Sequence, residues 1–233
     1  MIEIIRAHEH YHFQNDWLSS YWHFSFDEFY DPKKVSFSAL RVFNDDTVQP
    51  DRGFGTHSHR EMEIVTYVMR GRLAHRDSTG SDFLIKAGEV QRMSAGTGIN
   101  HSEMNPDSIE PVHFLQIWIT PAKKGLKPGY EQKNFSRQQR LGTLLPVVSG
   151  REIPGCLRIH QDTTFYISRL DTGDQITHPL PSSSQKIYLF VIEGAIALNG
   201  EVLGARDAVK LSGQQDVQLK AGEPSELILL DLP

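Results

Sequence analysis

The chain has 233 residues, with 24 Lys and Arg against 29 Asp and Glu and a formal net charge of −5. Its 39% hydrophobic and 23% charged residues exclude disorder as a class, and the acidic balance argues against a basic surface for direct nucleic-acid binding. Such a length suits one large all-β domain or two fused halves of roughly 100–130 residues each. Cys156 stands alone, which excludes an intrachain disulfide and a cysteine-based zinc site. The first residues, MIEIIR, lack the apolar core of a secretory signal, and no apolar run is long enough to span a bilayer. The expected location is therefore the cytoplasm, with no membrane partner.

Short β-branched and aromatic runs alternate with Gly, Asp, Asn and Pro clusters along the whole chain, the punctuation of an all-β protein. The opening His8-Glu9-His10-Tyr11-His12 has no flanking strand pattern and reads as a solvated terminal segment. Strands are predicted over 35–43, 64–69, 72–76, 82–85, 90–93 and 112–119. Residues 120–130 carry Pro121, Gly125, Pro128 and Gly129 and read as a boundary. A helix is predicted over 136–145, then strands over 156–160, 164–170, 186–192, 195–198, 208–211, 217–219 and 226–231. IVTYVMRG ending at Gly71 resembles IYLFVIEG ending at Gly194, an offset of 194 − 71 = 123 residues. Two copies of one small β-barrel account for this, with an N-terminal domain at 1–125 and a C-terminal domain at 126–233.

Chemistry concentrates in the first half. In an extended segment, residues i and i+2 share a face, so His57 and His59 of His57-Ser58-His59 aim at one point. His101-Ser102-Glu103 repeats the arrangement with one imidazole and one carboxylate. If the intervening hairpins bring the pairs together, three nitrogens and one oxygen converge. Such a set leaves positions open on an octahedral transition metal, unlike a closed tetrahedral structural site. Gly53-Phe54-Gly55 precedes the first pair and Gly96-Thr97-Gly98 the second, where tight corners let backbone approach the site.

Residues 53–68, GFGTHSHREMEIVTYV, and 87–103, AGEVQRMSAGTGINHSE, resemble the two cupin motifs as the pirin family writes them. Tyr30-Asp31-Pro32, Ala39-Leu40-Arg41-Val42, His75-Arg76-Asp77-Ser78, Gln116-Ile117-Trp118 and the closing LLDLP fit the same pattern. The resemblance implies a bicupin of two tandem double-stranded β-helix (jelly-roll) barrels. It implies one divalent transition metal per chain in the N-terminal cupin, iron first, with copper, nickel, manganese, zinc and cobalt as alternatives. The ligands fall on His57, His59, His101 and Glu103. Glu63, at a position that ligates in many other cupins, is expected to hydrogen-bond near the site or to face solvent. At the 123-residue offset, His57, His59 and His101 meet Leu180, Ser182 and Pro224, while Glu103 meets Glu226. The C-terminal cupin is therefore expected to be degenerate and without metal.

The activity implied is that of a quercetin 2,3-dioxygenase, which cleaves a flavonol with O2 and releases carbon monoxide. Glu103 is then the candidate base for the phenolic proton, and Met93 and Gln116 are the pocket residues. The alternative the family offers is a metal- and redox-sensing regulatory protein that binds a protein partner.

Overall fold

A computed structural model describes residues 1–180, 182 and 184–233. In chain order the first half carries β1 (Ile2–Ile5), β2 (Tyr11–Gln14), β3 (Leu18–Trp22), β4 (Leu40–Val48), β5 (Gly53–His59), β6 (Glu63–Arg70), β7 (Arg72–Asp77), β8 (Asp82–Lys86), β9 (Glu89–Ser94), β10 (Ile99–Met104), β11 (Val112–Ile119) and β12 (Gly129–Asn134). After α1 (Arg137–Arg140) come β13 (Leu145–Ser149), β14 (Leu157–Arg158), β15 (Thr164–Leu170), β16 (Gln175–Pro179), β17 (Lys186–Glu193), β18 (Ile196–Leu198), β19 (Glu201–Leu203), β20 (Ala208–Ser212), β21 (Asp216–Ala221) and β22 (Ser225–Leu232). Among the described residues, no helix is long and apolar enough to cross a membrane.

The chain forms two compact units, one of residues 11–134 with 157–161, the other of 1–10, 135–156 and 162–233. This departs from the expected break after residue 125 in three places. β1 pairs antiparallel with β20, Ile2 opposite Leu211 through Ile5 opposite Ala208, so the N-terminal strand completes the second unit. β12 pairs with β9 and stays in the first, to which residues 157–161 also return. The opening histidines are likewise not a solvated tail. Residues 7–9 make a 3-10 turn, and His12 lies on β2, stacked on Tyr21 with its Nε2 2.9 Å from Ser19 Oγ.

In the first unit the sheets run β12-β9-β6-β11-β4-β3-β2 and β5-β10-β7-β8. Alternation along the central strands builds three layers inside this barrel. On β6, Ile64, Thr66 and Val68 share a face; on β11, Phe114, Gln116 and Trp118 do the same. Val68 and Phe114 pack with Leu73, Ile85 and Val112 in one apolar cluster. Ile64 packs with Met93, Ala95 and Ile99 in another, against which Trp118 leans. Thr66 and Gln116 lie between them, so a polar layer is held between two hydrocarbon layers.

The second unit repeats the plan. Its sheets contain β20-β17-β22-β15-β13 and β16-β21-β18-β19, the orders of β9-β6-β11-β4-β3 and β5-β10-β7-β8. The turn glycines Gly71 and Gly194 both take positive φ, +77° and +83°. A Cβ at Gly71 would sit 2.8 Å from the Pro111 carbonyl oxygen, and one at Gly194 would sit 2.3 Å from that of Pro224. Here an apolar cluster occupies the middle of the interior: Ile187, Leu189 and Val191 of β17 pack with Val209, Leu219 and Leu229, while Thr164, Ser168 and Asp231 are buried polar groups on the neighbouring strands.

A single offset does not survive past this turn, because the connections in the two units differ in length. Glu226, matched to Glu103 by the 123-residue offset, lies on β22, the counterpart of β11 and not of β10. It forms an ion pair with Arg140 at 2.7 Å and another with Arg169. The helix expected over 136–145 shrinks to α1, capped by Ser136, because the chain turns extended into β13. The strand expected over 35–43 begins at Leu40 instead, after a turn in which Ser38 takes a φ of +55°.

Candidate metal centre

β5 and β10 pair so that His57 lies opposite His101 and His59 opposite Ile99. Between His101 and Glu103 the register shifts: Gly55 and Thr56 on β5 face Ser102 alone, a bulge that bends the strand at the site. Gly53 makes the close approach possible, since a Cβ there would fall 2.2 Å from the Glu103 carbonyl oxygen.

The result is three converging imidazoles. Ring centroids are 4.8 Å apart for His57 and His59, 4.4 Å for His57 and His101, and 4.9 Å for His59 and His101. The Nε2 atoms of His57 and His101 are 3.0 Å apart. His57 donates its Nδ1–H to the Gly55 carbonyl at 2.8 Å, which leaves its Nε2 as an acceptor facing Nε2 of His101. One ligand atom from each of the three rings lies within 4.8 Å of the others. Burial lowers the His59 pKa to about 4 and the His101 pKa to about 3, helped in each case by the neighbouring imidazoles. Both rings are therefore neutral at pH 7, the state that can ligate.

Glu103 is buried on the polar layer and held from both sides. Its Oε1 accepts from Gln91 Nε2 at 2.9 Å and its Oε2 from Gln116 Nε2 at 2.6 Å. Thr66 sets the polarity of this chain: its hydroxyl donates to Gln116 Oε1 at 2.8 Å and accepts from Gln91 Nε2 at 2.8 Å. Each carboxylate oxygen keeps a second lone pair for a metal or a proton. Three imidazoles crowded to contact distance beside a fixed carboxylate form a donor set that fits a divalent transition cation.

Other expected residues take different places. Glu63 is buried; its Oε2 accepts from Ser94 Oγ at 2.7 Å and its Oε1 lies 3.0 Å from His160 Nδ1. Met93 lies in the apolar layer with Ile64, Ala95 and Ile99, one strand repeat past Gln91 on the same face, and does not line the cavity described next. Gln116 does line it. Sequence reasoning missed His75 and the pair Asn44 and Asp46. His75 is fully buried, and one of its ring nitrogens lies within 4.8 Å of ligand atoms of both His101 and Glu103. The i, i+2 spacing of His75-Arg76-Asp77 was the available signal.

A cavity of about 230 Å³ opens over the histidines. Trp17, Trp22, Phe26, Phe54 and Trp118 form its walls, and His57, His59 and Glu103 close one end. Asn44 and Asp46, buried on β4, add polar groups to the lining. Burial raises the Asp46 pKa to about 8; a hydrogen bond from Ser20 opposes the shift, and the charges of Asp45 and Glu103 add to it. Its carboxyl is therefore mainly protonated at pH 7.

The chain is similar to known proteins over its whole length. A family model described as pirin matches residues 5–119, and one described as the quercetinase C-terminal cupin domain matches residues 146–232. The chain is 42% identical to a quercetin 2,3-dioxygenase of Escherichia coli strain K12 over 233 residues, covering 100% of this chain and 99% of that one. The crystal structure of the bacterial pirin YhhW from Escherichia coli in complex with nickel(II) superimposes with a TM-score of 0.95 at 40% identity, covering 100% of this chain and 99% of that one. A quercetin 2,3-dioxygenase from Acinetobacter baumannii shares the fold, with a TM-score of 0.77 at 23% identity over 94% of this chain and 82% of that one.

Proposed function

The chain belongs to the pirin family, and from that premise we propose that it is a metal-dependent dioxygenase of flavonols such as quercetin, cleaving the ring with O2 and releasing carbon monoxide. The observation that carries this reading is the convergence of three imidazoles and a carboxylate at the end of an aromatic-walled cavity. His57, His59, His101 and Glu103 would hold one divalent transition ion, with iron the expected metal. When bound, that ion supplies Lewis acidity and open positions for the hydroxyl and ketone oxygens of the flavonol.

The chain's own residues do the rest. The indole and phenyl walls take the flat rings of the substrate and keep water from them. Glu103 accepts the phenolic proton on a carboxylate oxygen. Gln91 and Gln116 hold that carboxylate in one orientation, because each donates to a different oxygen. Asp46, protonated at neutral pH, and Asn44 supply hydrogen-bonding groups for substrate hydroxyls.

The test is oxygen uptake with quercetin by protein loaded in turn with iron, copper, nickel, manganese, zinc and cobalt. Uptake matched by carbon monoxide release and loss of the flavonol absorbance is the expected result. No uptake with any of these metals would refute the reading.

A further inference from the structure

Two buried ring nitrogens beside the metal centre have no hydrogen-bond partner in the structure: Nδ1 of His101 and Nδ1 of His75. We propose that these two atoms bond to each other when the site is loaded, making His75 a positioning residue that fixes the ring of His101. This rests on the metal-binding part of the reading above and goes beyond it.

The argument follows the protons. Nε2 of His101 points at Nε2 of His57, 3.0 Å away, so His101 turns this nitrogen toward the shared ligand point. A metal takes a lone pair, so the His101 proton then belongs on Nδ1 and needs an acceptor. His57 solves the same problem with the Gly55 carbonyl. For His101 the structure offers His75. Across β10 and β7, Asp77 stands opposite His101 and His75 opposite Glu103, so the two rings are diagonal neighbours. Their centroids are 5.3 Å apart, tilted by 48°.

His75 is prepared for the part by Asp77. Its Nε2 lies 3.0 Å from Asp77 Oδ2, a bond in which the imidazole must donate. That leaves Nδ1 of His75 as a bare acceptor. Asp77 cannot turn away, because its Oδ1 accepts from Thr79 N at 2.8 Å, Thr79 Oγ1 at 2.6 Å and Ser81 N at 3.2 Å. The far side of the His75 ring packs on Tyr130 at a centroid distance of 4.6 Å. Turn, carboxylate, imidazole and imidazole thus form one line with a single proton order: Asp77 accepts from His75, and His75 accepts from His101.

Asp77→Asn tests this order with almost no change of shape. Asparagine can keep its oxygen on the turn amides, but it then presents an N–H to His75. His75 must move its proton to Nδ1, where it meets the Nδ1–H of His101. The expected result is a 10–100-fold loss of nickel(II) affinity by calorimetric titration, the usual cost of losing an outer partner of a ligating histidine. His75→Leu should lose a similar factor, and His75→Gln, which can offer a carbonyl oxygen, should recover part of it.

The second measurement needs no variant. Nitrogen-15 NMR of the zinc-loaded wild-type protein should show His101 protonated at Nδ1 and His75 protonated at Nε2. Wild-type affinity in Asp77→Asn and His75→Leu, or a His75 found protonated or metal-bound at Nδ1, would overturn the proposal. Absence of nickel or zinc binding by the wild-type protein would instead overturn the metal-site reading on which it rests.

Discussion

The two units place different residues at one set of register positions. In the first unit Thr66 of β6 faces Gln91 of β9 on one side and Gln116 of β11 on the other. In the second, Leu189 of β17 faces Val209 of β20 and Leu229 of β22. Three hydrogen-bonding side chains in one barrel are three aliphatic ones in the other, on strands with the same order. The sheets that carry the proposed ligands differ in the same way: His57 faces His101, whereas His178 on β16 faces Val217. One architecture therefore supports either a polar layer that fixes a carboxylate or an aliphatic layer at the same positions. Binding capacity resides in a few interior positions and not in the fold.

The comparison breaks most visibly at the ligands. His101→Ala should abolish metal binding and oxygen uptake and leave the thermal unfolding of the second unit unchanged. Metal analysis with differential scanning calorimetry checks this. Glu103→Gln comes next. If Glu103 takes the substrate proton, activity per bound metal should fall by about 10²–10⁴-fold. The loss should ease as pH rises and the phenol arrives already ionised. Activity per bound metal measured across pH separates this from a ligand role alone.

On the other side of the comparison, Leu189→Ala should destabilise the protein by about 2–5 kcal/mol in urea unfolding and leave metal content untouched. Asp46 breaks the comparison through pH alone. The unfolded chain releases this proton near the ordinary carboxylate value, while the folded protein holds it up to about 8. The stability that Asp46 contributes is thus complete below the unfolded pKa and is lost as pH rises through the folded one. Asp46→Asn removes the titration. Its melting temperature relative to wild type should rise between pH 5 and pH 8, and thermal scans at both pH values check the sign.

Much of this was legible in the residues. Central strands announce themselves by β-branched and aromatic runs: the strand expected over 64–69 is β6 at Glu63–Arg70, and the one expected over 164–170 is β15 at Thr164–Leu170. The paired His57-Ser58-His59 and His101-Ser102-Glu103 face each other as their spacing suggested, because alternation in a strand is local. Strands β3, β12 and β16 are among those the sequence reading missed. Their sequences LSSYW, GYEQKN and QITHP have mixed polarity and take their pairing from neighbours distant in sequence.

The harder failure was at Asn44-Asp45-Asp46. Three consecutive polar residues read as the end of a strand, yet they lie buried in the middle of β4. Asp46 there lies beside Ser20, and Asp45 lies 2.5 Å from His113 Nε2. Local polarity predicts exposure; only the tertiary partners reverse it. For His75 the i, i+2 pairing with Asp77 is a local signal, but its place beside His101 is set by the pairing of β7 with β10.

The central claim is that one barrel of two holds the metal, through His57, His59, His101 and Glu103. Its most direct test is the nickel-to-chain ratio of the full-length protein, saturated with the ion, freed of excess and measured by elemental analysis beside a His57→Ala, His101→Ala double variant. The account predicts a ratio near one for the wild type and near zero for the double variant. A ratio near two, or nickel retained by the double variant, would contradict it.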